Sequence, residues 1–317
     1  MKGAIMITRS RNVRCSLVTL GLLVGVIGLA PRALAGAQKT FSSADAAVTA
    51  LVDAARAGDR SQLDPLFGVG ASEVLPSGDP VADRAAREQF VTRASERTHL
   101  EKVGDDFAVL SVGNDDWPFP IPLVRETSGA WRFDTEAGKT EILNRRIGRN
   151  ELYTIQSMQA YVDAQRDYAR RQKSATGVKE YAQRLVSTPG KHDGLYWETK
   201  AGEDESPIGP LFASATREGY RPGGESPQPF HGYMYKVLHA AGPNAPGGAH
   251  SYLENGRLTR GFALLAYPVH YGSSGVMTFQ VNEQGVVFQK DLGPKTPELA
   301  SHISVYDPDD SWDATED

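Results

Sequence analysis

Four short runs rich in aromatic and branched residues, separated by glycine-bearing turns, constrain this chain more than anything else in it. They are Tyr233–Leu238 and residues 261–267, 276–281 and 286–292, each the length of a strand. Alternation puts Tyr233, Tyr235 and Val237 on one face of the first run, and Met277, Phe279 and Val281 on one face of the third. The runs read as half-buried strands. Gly272-Ser-Ser-Gly275 and Asn282-Glu-Gln-Gly285 are short links whose glycines tolerate positive φ, so the runs they join pair as an antiparallel meander. Asn255-Gly256 adds a further hairpin signal.

The front of the chain reads as an address. Lys2, Arg9, Arg11 and Arg14 precede an apolar run from Cys15 to Ala30, and Ala33-Leu-Ala35 supplies small residues for cleavage, so residues 1–35 are expected to be a signal peptide. Cys15 is the only cysteine. A chain beginning at Gly36 therefore has no disulfide, no catalytic thiol and no cysteine ligand for zinc, and must be held by its core. Cleavage removes five basic residues and no acidic ones, which takes the formal charge from −5 to −10. Such a surface argues against nucleic acid as a partner, and no other apolar run is long enough to span a bilayer. The expected location is the periplasm or the medium outside the cell.

The remainder divides into an N-terminal domain (36–149), a central helical segment (150–190) and a C-terminal β domain with an acidic tail (191–317). In the first, Ser42 or Ser43 caps a helix carrying Val48, Leu51, Val52 and Ala55, and Gly58-Asp59 leads to a second helix toward Phe67. Residues 69–82 read as a loop and 83–97 as a third helix with a narrow apolar face of Ala86, Phe90 and Ala94. Strands follow at Phe107–Val112, 121–125 and 130–134, the prolines at 118, 120 and 122 pushing their run toward a sheet edge. Asn150 is read as the cap of the best helix, with Leu152, Ile155, Met158, Tyr161, Val162 and Tyr168 on one side. Gly177 interrupts that helix, and residues 178–186 resume a helical pattern. Residues 198–230 form a polar connection. The fold class is α+β: a small N-terminal helix-plus-antiparallel-sheet domain, a long central helix and a C-terminal antiparallel β-meander.

Several motifs occur in order along this length: Trp131-Arg-Phe-Asp134, residues 141–152, residues 160–165, Asp193-Gly-Leu-Tyr-Trp197, Ala245-Pro-Gly-Gly248, Gly275-Val-Met-Thr-Phe279 and Lys290-Asp-Leu-Gly293. On these the chain resembles the bacterial domain-of-unknown-function family numbered 2950. The resemblance implies an exported protein and brings no activity with it. A weaker similarity, of shape alone, links the helix and meander to the globular part of type IV pilins and pseudopilins, although the chain has no prepilin processing site.

For chemistry, the chain holds no H-E-x-x-H, G-x-S-x-G, S-x-x-K or phosphate-binding glycine loop, and no catalytic residue, metal site or cofactor is assigned. Arg145 and Arg146 are candidates to clamp a carboxylate or phosphate; the bland reading pairs them with neighbouring acids at the domain junction. Tyr196 and Trp197 can stack on a sugar or peptide, and Asp193 with Glu198 can act as paired carboxylates; the bland reading is core aromatics beside a solvated turn. Asp115-Asp116-Trp117 reads as a hairpin tip. The run Asp307–Asp313 lacks the glycine and final glutamate of a calcium loop and reads as a flexible acidic tail. The leading expectation is a non-catalytic binding or interaction module of the bacterial envelope, with an unknown envelope ligand or protein partner. The alternatives are a carboxylate-dependent envelope hydrolase and a pilin-like structural or assembly component.

Overall fold

The computed structural model describes residues 38–171, 177–200, 202–221 and 228–315. The expected signal segment lies outside them. The described residues form one compact unit.

The chain starts as the cap signals require. Ser43 accepts from the Ala46 amide and opens α1 (Ala44–Ala57), which Gly58 closes at φ 68°. Asp59 caps α2 (Arg60–Phe67), and α3 (Ala71–Val74) follows. A single helical turn thus occupies ground read as loop. Asp79 then caps α4 (Pro80–Glu96) through the Val81 and Ala82 amides, so this helix begins earlier than position 83, at a proline suited to the first turn.

The first sheet comprises β1 (Thr98–Val103), β2 (Phe107–Val112), β3 (Trp117–Pro118), β4 (Leu123–Arg125) and β5 (Trp131–Phe133), in the order β1-β2-β4-β5 with β3 also on β2. β1 is largely exposed and carries no apolar alternation, which is why the sequence pattern misses it. Leu51, Leu66, Phe67, Leu110, Leu123 and Phe133 form this half's core.

Helix α5 (Thr135–Arg171) is 37 residues long. It runs unbroken through Asn150, read above as its cap, which lies buried in mid-helix and donates from Nδ2 to the Ser274 carbonyl at 2.9 Å. Near its start Gly138 meets Ile121 so closely that a Cβ would stand 2.8 Å from that residue's Cα. The next turns meet the second sheet. Glu151 Oε1 accepts from the Val276 and Met277 amides at 2.9 and 3.0 Å, and Met158, Tyr161 and Val162 pack on the strands.

Beyond α5, residues 178–186 are not helical. Gln165, fully buried, exchanges two 2.8 Å hydrogen bonds with the Ala182 backbone, and Tyr181 bridges to Leu258, so this stretch is held as extended chain. The polar connection after it contains α6 (Gly209–Glu218), closed by Gly219 at φ 107°. No side chain caps its start and its first turn has no acidic residue, so Pro210 is the one opening signal it carries.

The second sheet confirms the meander. It is built on β6 (Tyr233–Leu238), with two small ladders inserted, β7 (Ala240–Ala241) with β8 (His250–Ser251) and β9 (Leu253–Glu254) with β10 (Arg257–Leu258) about the Asn255-Gly256 turn. Then come β11 (Ala263–Pro268), β12 (Met277–Asn282) and β13 (Val287–Asp291), the short α7 (Thr296–His302), and β14 (Asp313–Ala314). The order is β14-β13-β12-β11-β6, every pair antiparallel. The expectation of half-buried strands fails for β11 and β12. One face meets α5; the other is covered by Tyr252, Ala300 and Tyr306 against Leu238, Ala263 and Leu265. The acidic tail is likewise not free: Trp312 is buried and the residues after it pair with β13. No described helix is long and apolar enough to cross a membrane.

Candidate functional site

The sequence candidates do not converge. Arg145 donates from Nε to Glu141 at 2.6 Å and from Nη1 to the Pro118 carbonyl at 2.7 Å, with its guanidinium over the Trp117 ring. Arg146 is buried and points elsewhere, donating to the Val74 and Pro76 carbonyls at 2.5 and 3.1 Å; burial holds its pKa below the usual value, against the pull of Asp83. The adjacent guanidinium groups therefore share no anion site. Asp193 takes the Thr188 amide at 2.7 Å and the Thr188 hydroxyl at 2.8 Å. Burial raises its pKa, but those hydrogen bonds and Arg184 outweigh it and hold the carboxyl below the usual range, the opposite of what a general acid needs. Glu198 is exposed. Trp197 stacks on His192 at 4.3 Å. Tyr196 stacks on Phe212 at 4.4 Å, and this one candidate backs onto a cavity.

That cavity is an open cleft of about 930 Å³. Its floor is one face of the second sheet, Tyr235 and Val237 of β6 and Leu264 of β11, with Ser157 and Tyr161 of α5 behind. Helix α6 walls it with Leu211 and Phe212, joined by Ile208 just ahead of the helix, and Phe230 and Tyr220 close one end. Among the described residues the lining includes Arg184, Arg221 and His239 but no aspartate or glutamate. Sequence reasoning missed this site because its walls come from six separate stretches. Tyr235 was placed correctly on a strand face, yet nothing local says that α6 stands off that face.

A polar cluster adjoins the Tyr220 end. Asp79 is 2% exposed and, besides capping α4, accepts on Oδ2 from the Tyr220 hydroxyl at 2.7 Å and the Gly232 amide at 3.2 Å. One carboxylate thus ties together α4, the chain just beyond α6 and the entry to β6. An Asp-Pro pair ahead of a helix was the signal that could have flagged it. His231, at φ 48°, stacks on Tyr153 at 4.2 Å and sets Nε2 3.2 Å from Glu218. Burial pushes its imidazole down to about 4, against Asp79 and with help from Arg149. Burial also pushes Glu218 up. At neutral pH the contact is therefore a hydrogen bond donated by a neutral ring, not an ion pair. Among the described residues no group of three or more His, Cys, Asp or Glu side chains is placed to hold a metal ion.

A family model described as "Protein of unknown function (DUF2950)" matches residues 38–315. No curated protein matches, and no solved structure matches, so the similarity to pilins finds no support.

Proposed function

The chain belongs to the DUF2950 family, and from that premise we propose that it is an exported binding protein whose ligand occupies the cleft between α6 and the second sheet. The observation that carries this reading is the cleft itself: about 930 Å³, walled by aromatic and aliphatic side chains with a few polar groups at its margins. Ligand sites have this size and this mix, apolar walls supplying affinity and sparse polar groups fixing orientation. Catalysis is not part of the proposal, because Asp193 is held ionised by its hydrogen bonds to Thr188 and is not among the residues that line the cleft.

The test is a fluorescence titration of the unit Gly36–Asp317 with the apolar anionic dye anilinonaphthalene sulfonate. We expect saturable binding that weakens about tenfold in Phe212→Ala, which removes an aromatic wall worth about 1.5–3 kcal/mol when covered. Equal affinity in the two proteins would place the binding elsewhere and end the proposal.

A further inference from the structure

β6 is the outer strand of its sheet, with β11 on one side only. Tyr233 exchanges two hydrogen bonds with Phe230, on the side away from β11, and stands opposite Pro268, which has no N–H to offer. Backbone direction repeats every second residue along a strand, so the N–H and C=O groups of Tyr235, Val237 and His239 point to that same outer side. The His239 carbonyl is taken by the Tyr252 amide at 2.9 Å. Tyr235 and Val237 have no backbone partner among the described residues on their outer side, and both line the cleft. Among the described residues the edge is therefore closed at both ends and bare in the middle. The stretch from Tyr233 to His239 spans about 20 Å, with the bare donors and acceptors at its centre.

We infer that the ligand of this cleft is an extended peptide that adds a strand to β6 at Tyr235 and Val237, sets apolar side chains against Phe212 and Phe230, and presents a carboxylate to Arg184 and Arg221. The inference rests on the cleft being the binding site. It goes further because only a polypeptide repeats a donor and acceptor pair at the spacing the edge offers. Charge agrees: the described lining of the cleft has two arginines and no carboxylate, in a chain whose formal net charge is −5. Lys236, the one charged side chain on β6, does not guard the edge, since its ammonium is turned to the opposite face and donates to the Ser301 and Ile303 carbonyls at 3.0 and 2.8 Å.

The experiment uses the same unit and a pool of fluorescein-labelled hexapeptides with Val, Leu or Phe at alternate positions and Glu at one end, followed by polarisation and by displacement of the dye. We expect binding that displaces the dye, weakens at least about tenfold when one alternate set of peptide amides is N-methylated and not when the other set is, and weakens by a similar factor when Lys replaces Glu. Val237→Pro removes an outward donor without touching the ladder to β11 and is expected to lose the peptide; should it fail to fold, the two N-methylated pools decide alone. Peptide binding indifferent to either methylation pattern overturns strand addition. Equal binding of the Lys-ended and Glu-ended pools overturns the carboxylate assignment. Dye binding lost in Phe212→Ala but never displaced by peptide keeps the cleft as the site and gives it to a small amphipathic anion instead. If neither dye nor peptide binds, the cleft reading falls together with the inference.

Discussion

β1 and β6 are both outer strands of antiparallel sheets, and they meet their surroundings in opposite ways. β1 exposes His99, Glu101 and Lys102, the kind of charged edge that repels an incoming strand. β6 offers Tyr, Met, Tyr and Val, turns its lysine away and opens onto an apolar cleft. The difference lies in what each sheet does with its faces. The first buries one face in a single core and leaves its edge to water; the second is covered on both faces, and the cleft is the gap in that cover.

The deepest break in this comparison is Phe279→Ala. Phe279 is fully buried between α5 and the second sheet, and its loss should cost about 4 kcal/mol in urea unfolding, against a change small enough to vanish in error at the exposed polar side chains of β1.

A second test concerns acid. His231 precedes β6 by two positions, and nothing of its kind stands at the entry to β1. Its folded pKa, about 4, lies below the ordinary 6.5, so between those values the unfolded chain binds a proton that the folded chain refuses. The associated stability is complete above pH 6.5 and is lost as pH falls toward 4. Between pH 7 and pH 5 the loss should be about 2 kcal/mol, and His231→Asn, which keeps a residue tolerant of positive φ, should abolish most of it. Glu218, raised by burial, works in the opposite sense at the acid end, which is why pH 5 is the better comparison point.

The smallest effect sharpens the contrast. Lys102 meets Asp45 at 3.6 Å with both side chains more than half exposed, so Lys102→Ala should move stability by less than about 0.5 kcal/mol. A larger loss would mean that the β1 edge is structural and not merely solvated.

These contrasts also explain what could be read in advance. The meander was legible because alternation and glycine turns are local properties, and Ser43 and Gly58 marked the first helix for the same reason. β1 was not, since an exposed strand has no apolar face to show. Residues 178–186 carried a helical pattern, but Gln165 and Leu258, distant in the chain, claim the backbone groups a helix would need. The same limit hid the cleft. Tyr196 was singled out for stacking on a ligand and stacks on Phe212, one wall short of the cavity.

Helix α5 joins both halves: Ile142 packs against the first core, and Met158 and Tyr161 belong to the second. A boundary drawn at residue 149 would sever it in mid-course. Neither half, therefore, has a complete set of packing partners when separated from the other. A protease that nicked this helix would release no stable fragment, and heat should melt the two sheets as one event, because the strut that braces each is the same piece of chain.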